Sequence, residues 1–422
     1  MNYYLKAYIL YTLLYSTNLL QIPLVPCVQS PRSNFFRNID SMKKFDNGKI
    51  PCIKLYFGIP SQEILLGITF SNDFTWLIDK PNGKYCYNYQ NSNSIESLHL
   101  FNNIYYDEQN LIGELSYDYF SLSEKINSSS KFLFLRYNSF HTNENVEFGG
   151  IGGELSFFYS PNMTKTKETI ILSNFESENI FFLNYLKKNN QIRKSKIGIT
   201  YNNNEGYAYI DEDLKLNKFC NMKPGVDISC ELKTVNFGNV SISQNNTKVL
   251  FDLKKDYILI PGREASIFLI QIEHILSQFN CKDSEYFGDY YILCNKEDID
   301  QIVNKVNHIS FYFEHEQGQT ELQIPTRDLF RCSPDNRCLF MIISNIYLYD
   351  SVWSFGSSVL NSNIFEFDYE SRKIYFGPVK SNNNLNFLLK TILIFSSLIV
   401  LLIGGSYLMV VKRQNNLFFE FI

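Results

Sequence analysis

From Ile53 onward the chain alternates short apolar runs with turn residues. The runs include Ile53 to Phe57, Ile64 to Phe70, Thr75 to Ile78, Phe132 to Leu135, Ile197 to Tyr201, Tyr207 to Ile210, Val249 to Phe251, Ile309 to Phe313 and Ile342 to Leu348. Short runs of this kind, rich in β-branched and aromatic residues, predict strands. Only three stretches suggest helices: Ile180 to Lys188, Glu264 to Phe279 and Lys296 to Val306. Many strands with a few short helices predict an all-β body.

The two ends break this pattern. Lys6 precedes an apolar stretch from Ala7 to Val25, and Val28-Gln29-Ser30 offers small residues for cleavage, so residues 1–30 read as a signal peptide. Thr391 to Val411 is 21 uncharged residues, long enough to span a bilayer as a helix. Lys412-Arg413 follow at once and place the tail, residues 412–422, in the cytosol. The expected protein is therefore type I and single-pass. Its body faces the lumen or exterior of a secretory or cell-surface membrane.

Composition agrees with that compartment. The chain has 422 residues, 45% of them apolar, with 29 Tyr and 36 Phe, enough for a large sheet-based core. Of nine cysteines, Cys27 falls in the leader, leaving Cys52, Cys86, Cys220, Cys230, Cys281, Cys294, Cys332 and Cys338. An even set in a secreted body reads as disulfides. Asn127, Asn162, Asn239 and Asn245 begin Asn-x-Ser/Thr sequons and are glycosylation candidates. Net charge is −4 with the charges scattered, so nothing suggests a nucleic-acid partner. There is no phosphate-binding Gly loop, no Gly-x-Ser-x-Gly and no His-Glu-x-x-His, and the five His never form a motif. No metal and no cofactor is expected.

Candidate chemistry concentrates between Val249 and Pro261, where Asp252 sits between two apolar runs. A carboxylate is costly to bury there unless it is paired or used. A weak echo joins Leu65-Leu66-Gly67-Ile68-Thr69 to Val249-Leu250-Phe251-Asp252. Each is followed later by an apolar-Gly segment, Ile151-Gly152-Gly153 and Phe355-Gly356. Two similar lobes facing one cleft would produce this, with an N-terminal β lobe over 31–215 and a C-terminal one over 216–384.

In order and spacing, the segments from Ile53 to Pro378 resemble the pepsin-like aspartic proteases. Pro60-Ser61-Gln62, Trp76, Tyr87-Asn88 with Ser92 and Ser94, and Tyr106 resemble in turn the approach to the first active strand, the Trp beyond it, the next loop and the flap tyrosine. Gly113 to Asp118, Phe148 to Gly152, Asp252 with Pro261, and Trp353 to Gly356 through Phe367-Asp368 to Lys373-Ile374 continue the match. The resemblance implies a bilobal fold, with Trp76 and Tyr106 as cleft and flap residues. It also implies a C-terminal-lobe disulfide from Cys294 to Cys332 or Cys338. Cys220 with Cys230 and Cys52 with Cys86 are further candidate pairs.

The chemistry of that family requires two carboxylates sharing a proton. Here a gap-free alignment puts Thr69 where the first Asp belongs, in Thr69-Phe70-Ser71, and the second triplet is Asp252-Leu253-Lys254. Neither turn has its glycine, and Asp107-Glu108-Gln109 follow the flap tyrosine. If the alignment slips, Asp79 becomes the missing carboxylate. Asp252 alternatively pairs with Lys254 or Lys255 as an ordinary turn residue. The expectation is a membrane-anchored ectodomain with a vestigial Asp252, lacking proteolysis and binding a peptide or protein partner. A divergent active aspartic endopeptidase and a structural surface-display protein are the alternatives.

Overall fold

The computed structural model describes residues 20–379 apart from 29–48, 71–74, 81–82, 107–108, 124–129, 139–152, 158–180, 203, 224–227, 287–288, 316–317 and 346–351; residues 1–19 and 380–422 also lie outside the described residues. The described chain is mostly β-sheet. Its first strands are β1 (Leu20–Val28), β2 (Lys49–Phe57), β3 (Gln62–Thr69), β4 (Trp76–Asp79), β5 (Glu96–Tyr106), β6 (Gln109–Ser121), β7 (Lys131–Asn138) and β8 (Gly153–Ser156). After helix α1 (Phe182–Lys188) come β9 (Lys196–Asn202), β10 (Glu205–Ile210) and β11 (Lys218–Asn221). Next are β12 (Ser229–Phe237), β13 (Val240–Phe251), β14 (Ile258–Pro261), helix α2 (Gly262–Leu276), β15 (Lys282–Tyr286) and β16 (Asp289–Asn295). Helix α3 (Ile299–Lys305) leads to β17 (His308–His315), β18 (Gly318–Pro325), β19 (Phe330–Cys332), β20 (Arg337–Asn345), β21 (Val352–Phe355), β22 (Asn363–Asp368) and β23 (Lys373–Pro378).

Two sheets result. One has 13 strands in the order β11-β23-β22-β9-β10-β1-β2-β3-β8-β4-β7-β6-β5. The other has ten, running β15-β16-β20-β14-β21-β13-β12-β17-β18 with β19 on β20. Strands buried on one face alternate along their length. In β18, Thr320, Leu322 and Ile324 point inward while their neighbours meet solvent. Strands at the sheet centres are apolar throughout, as in β20 from Cys338 to Ile343.

The boundary expected near residue 216 does not divide the sheets. β11, β22 and β23 return to the first sheet, where β22 pairs antiparallel with β9 from Phe365–Ile199 to Asp368–Lys196. Aromatic packing explains the return. Phe367 lies 4.3 Å from Phe70 and 5.2 Å from Phe251, centroid to centroid, so a single ring fills the space between both halves. Residues through Pro378 form one compact unit.

Part of the stretch read as a leader is structural. Leu20–Val28 runs between β10 and β2, with Ile22 and Leu24 buried. Cleavage after Ser30 would remove this strand and the Cys27 half of a disulfide. The apolar pattern that suggested a leader serves equally for a buried strand.

Four disulfides are present: Cys27–Cys52, Cys220–Cys230, Cys281–Cys294 and Cys332–Cys338. Cys220–Cys230 is as expected. Cys52 pairs with Cys27 because β1 and β2 are neighbours, and Cys86 is free. Cys294 faces Cys338 across the β16–β20 ladder, yet each bonds within its own hairpin or turn, so the expected link from Cys294 to Cys332 or Cys338 is not made. Four bridges mark an oxidising compartment. Among the described residues no helix is long and apolar enough to cross a membrane, and Thr391 to Val411 lies outside them.

Candidate functional site

Each half of the body contains the same four-strand arrangement. In the first, β3 runs parallel to β8, β8 antiparallel to β4, and β4 parallel to β7. In the second, β13 runs parallel to β21, β21 antiparallel to β14, and β14 parallel to β20. The chains of paired residues run in the same order in both halves. Gly67 pairs with Glu154, Glu154 with Trp76, and Trp76 with Leu135. Leu250 pairs with Ser354, Ser354 with Leu259, and Leu259 with Ile343. β3, which ends at Thr69, therefore corresponds to β13, which ends at Phe251 just before Asp252.

Of the sequence echo, Phe355 ends β21 and Gly153 opens β8. Phe148 to Gly152 lies outside the described residues. Asp79 ends β4, the counterpart of β14, and not β3, the counterpart of the strand that leads into Asp252. It is buried and tied locally, accepting from the Tyr89 N–H at 3.3 Å and meeting Arg136 Nη1 at 3.6 Å.

Asp252 opens a tight turn. Its N–H donates to the Phe355 carbonyl at 2.9 Å, and the Lys255 N–H donates back to its carbonyl at 3.2 Å. Leu253 is buried in the core, which turns Lys254 and Lys255 toward the carboxylates. Lys255 Nζ lies 3.3 Å from Asp252 Oδ2, while Oδ1 has no hydrogen-bond partner among the described residues. Burial would push the Asp252 carboxyl up, but the Lys255 and Lys254 ammoniums outweigh it and hold the group below the usual range. The expected pairing with a neighbouring lysine is thus present, on a side chain still 20% exposed.

A carboxylate that sequence reasoning missed stands close by. Glu154 of β8 is fully buried, accepts the Trp76 indole N–H at 3.0 Å, and meets Lys254 Nζ at 3.5 Å. Burial pushes Glu154 up, in spite of Lys254 and the indole, and the charge of Asp252 adds to the rise. Lys254 thereby bridges from the second half to the first. Trp76, expected to line the cleft, is instead 1% exposed and packs with Cys27, Cys52, Leu65 and Leu135. Nothing local in the sequence marks Glu154 as special. Only its pairing between Gly67 and Trp76 brings it to the centre.

Several residues quoted for the resemblance do converge, as scaffold. Asp118, wholly buried, accepts from Tyr87 Oη at 2.5 Å, Ser92 Oγ at 2.7 Å and Ser94 Oγ at 2.5 Å. Gln62 exchanges two hydrogen bonds with the Asn88 backbone, at 3.0 and 2.8 Å. Tyr106 ends β5 and pairs with Gln109 at the tip of the β5–β6 hairpin.

Chemically, this centre has one reachable carboxylate between two ammonium groups. Glu154 is sealed from solvent and engaged by Trp76 and Lys254, so it is not placed to trade a proton with a substrate. Among the described residues no cluster of side chains is suited to hold a metal ion. The chain matches no protein-family model and no curated protein.

Proposed function

We propose that this is a pepsin-like ectodomain, anchored by its C-terminal span in a secretory or cell-surface membrane, that does not cleave peptides and instead holds a peptide or protein partner. The observation that carries the reading is Asp252 on its turn with Lys255 Nζ 3.3 Å from Oδ2, while Thr69 closes β3, the strand that matches the one leading into Asp252. The two-carboxylate chemistry of such a fold fails when one carboxyl is a hydroxyl and the other is neutralised by lysine. The matched strand pairing in the two halves supports the bilobal ancestry.

Partner binding draws support from the β5–β6 hairpin. β5 is the outermost strand of its sheet, and Leu100, Phe101 and Ile112 on the hairpin are 44%, 56% and 50% exposed. An open edge with apolar side chains beside it suits an extended chain that adds as a further strand. A peptide library presented to the purified ectodomain tests this. The expected ligands lose binding with Tyr106→Ala. Retention of binding in that variant, with loss only from substitutions on the outer surface, would instead identify a display protein.

A further inference from the structure

One cavity outside the central site adjoins a motif that the proposed function does not use. It is an open groove of about 710 Å³ between the β12–β13 hairpin and helix α2, with the end of α3 as its floor. The hairpin turns through two residues, Gly238 and Asn239, closed by the Phe237–Val240 pair. Gly238 has φ +59°, the left-handed conformation that such turns need. Asn239 and Ser241 are both exposed, and with Val240 they form an Asn-Val-Ser sequon at the groove's rim.

We infer that Asn239 carries an N-linked glycan whose first sugars lie in this groove. Glycosyl transfer needs an asparagine and a hydroxyl two residues on that an enzyme can reach together. The turn supplies both. The second sequon of the hairpin is placed differently, with Asn245 inside β13 at the irregular part of the ladder. Asn127 and Asn162 lie outside the described residues. Four disulfides put the body in the compartment where the reaction occurs. The donor class is a lipid-linked pyrophosphoryl oligosaccharide. The Asn239 Nδ2–sugar C1 bond forms as the C1–oxygen bond to pyrophosphate breaks. The amide gives up one proton, and the leaving lipid pyrophosphate takes the electron pair.

The groove has the make-up a pyranose calls for. Ile270, Ile275 and Val306 offer apolar surface to ring faces, while Gln271, His274 and Gln278 offer donors and acceptors to hydroxyls. Ile270 is 62% exposed, the highest among the large apolar residues that are exposed. A glycan seated here covers it.

The test uses the full chain secreted or displayed by eukaryotic cells. Treatment with an N-glycosidase should convert Asn239 to Asp in the tryptic peptide, and Asn239→Gln and Ser241→Ala should each remove one glycan step in mobility. Hydrogen exchange of α2 should be several-fold slower in the glycosylated protein than in the same protein after deglycosylation. An unmodified Asn239 peptide, or equal exchange in both forms, overturns the inference. If Asn239 is bare while another sequon is modified, only this inference fails. If no sequon of the folded protein is modified, the secretory placement fails with it.

Discussion

The two four-strand motifs share every pairing and differ in what they place at the matching positions. The second half keeps Asp252 on a turn and Gly356 behind it. An added Cβ at Gly356 would stand 2.4 Å from the Tyr257 carbonyl oxygen and 2.5 Å from that of Lys255, so the backbone there still packs as tightly as the turn demands. The first half closes the matching strands with Thr69 and Ser156, and its carboxylate, Glu154, is buried in the strand instead. The second half packs a tight turn at Asp252, and the first shares its strand scaffold. Pairing tolerates different turn residues, because the core of strands and aromatic rings fixes it independently of them.

The largest test of this contrast is steric. Gly356→Ala should destabilise by about 3 kcal/mol, because backbone atoms on both sides leave no room. Ser156→Gly, the reverse change at the end of the matching strand, should cost only about 1 kcal/mol, from added chain freedom. Denaturant midpoints of the two variants measure the difference. Equal losses would break the equivalence of the halves.

Next come the two tryptophans. The Trp76 indole serves the buried Glu154, whereas Trp353 Nε1 has no hydrogen-bond partner among the described residues. Trp76→Phe should therefore cost about 2 kcal/mol more than Trp353→Phe, the expense of withdrawing a donor from a buried carboxyl. Thermal or denaturant unfolding of the pair checks this.

The smallest effect is in pH dependence, where the halves act in opposite directions. Glu154 holds its proton more tightly folded than unfolded, so its contribution is intact below its ordinary value of 4.5 and declines as pH rises through the raised folded value. Asp252 is the reverse, contributing above 3.8 and losing that contribution as pH falls through its lowered folded value. Glu154→Gln should gain on the parent as pH rises above 4.5. Asp252→Asn should fall behind the parent as pH rises through 3.8. Melting temperatures across that range should show the two trends crossing, and parallel profiles would contradict them.

Much of this was legible in the chain. Alternating and continuous apolar runs marked most of the strands, since burial on one face or two leaves its period in the sequence. The three helical stretches are found at Phe182–Lys188, Gly262–Leu276 and Ile299–Lys305, within a few residues of expectation. The count from Pro60 to Trp76 set Thr69 against Asp252, and Thr69 is the last residue of β3, the counterpart of the strand before Asp252. Three things were hidden for physical reasons. Leu20–Val28 is apolar for a sheet interior, and an apolar stretch near the start of a chain reads just as well as a leader. Disulfide partners depend on which strands become neighbours, so Cys52 could not point to Cys27. Glu154 is drawn to the centre by pairing with strands far away in sequence, which no local pattern records.

On the proposed reading, one carboxylate held down by lysines, with Thr69 in place of its partner, does not run the two-carboxylate chemistry of the family it resembles. The most direct measurement is cleavage of an unfolded protein substrate by the purified ectodomain across the acid range in which carboxyl groups titrate. The account predicts no cleavage at any pH in that range, with parent and Asp252→Asn alike. Cleavage by the parent that disappears in Asp252→Asn would contradict it.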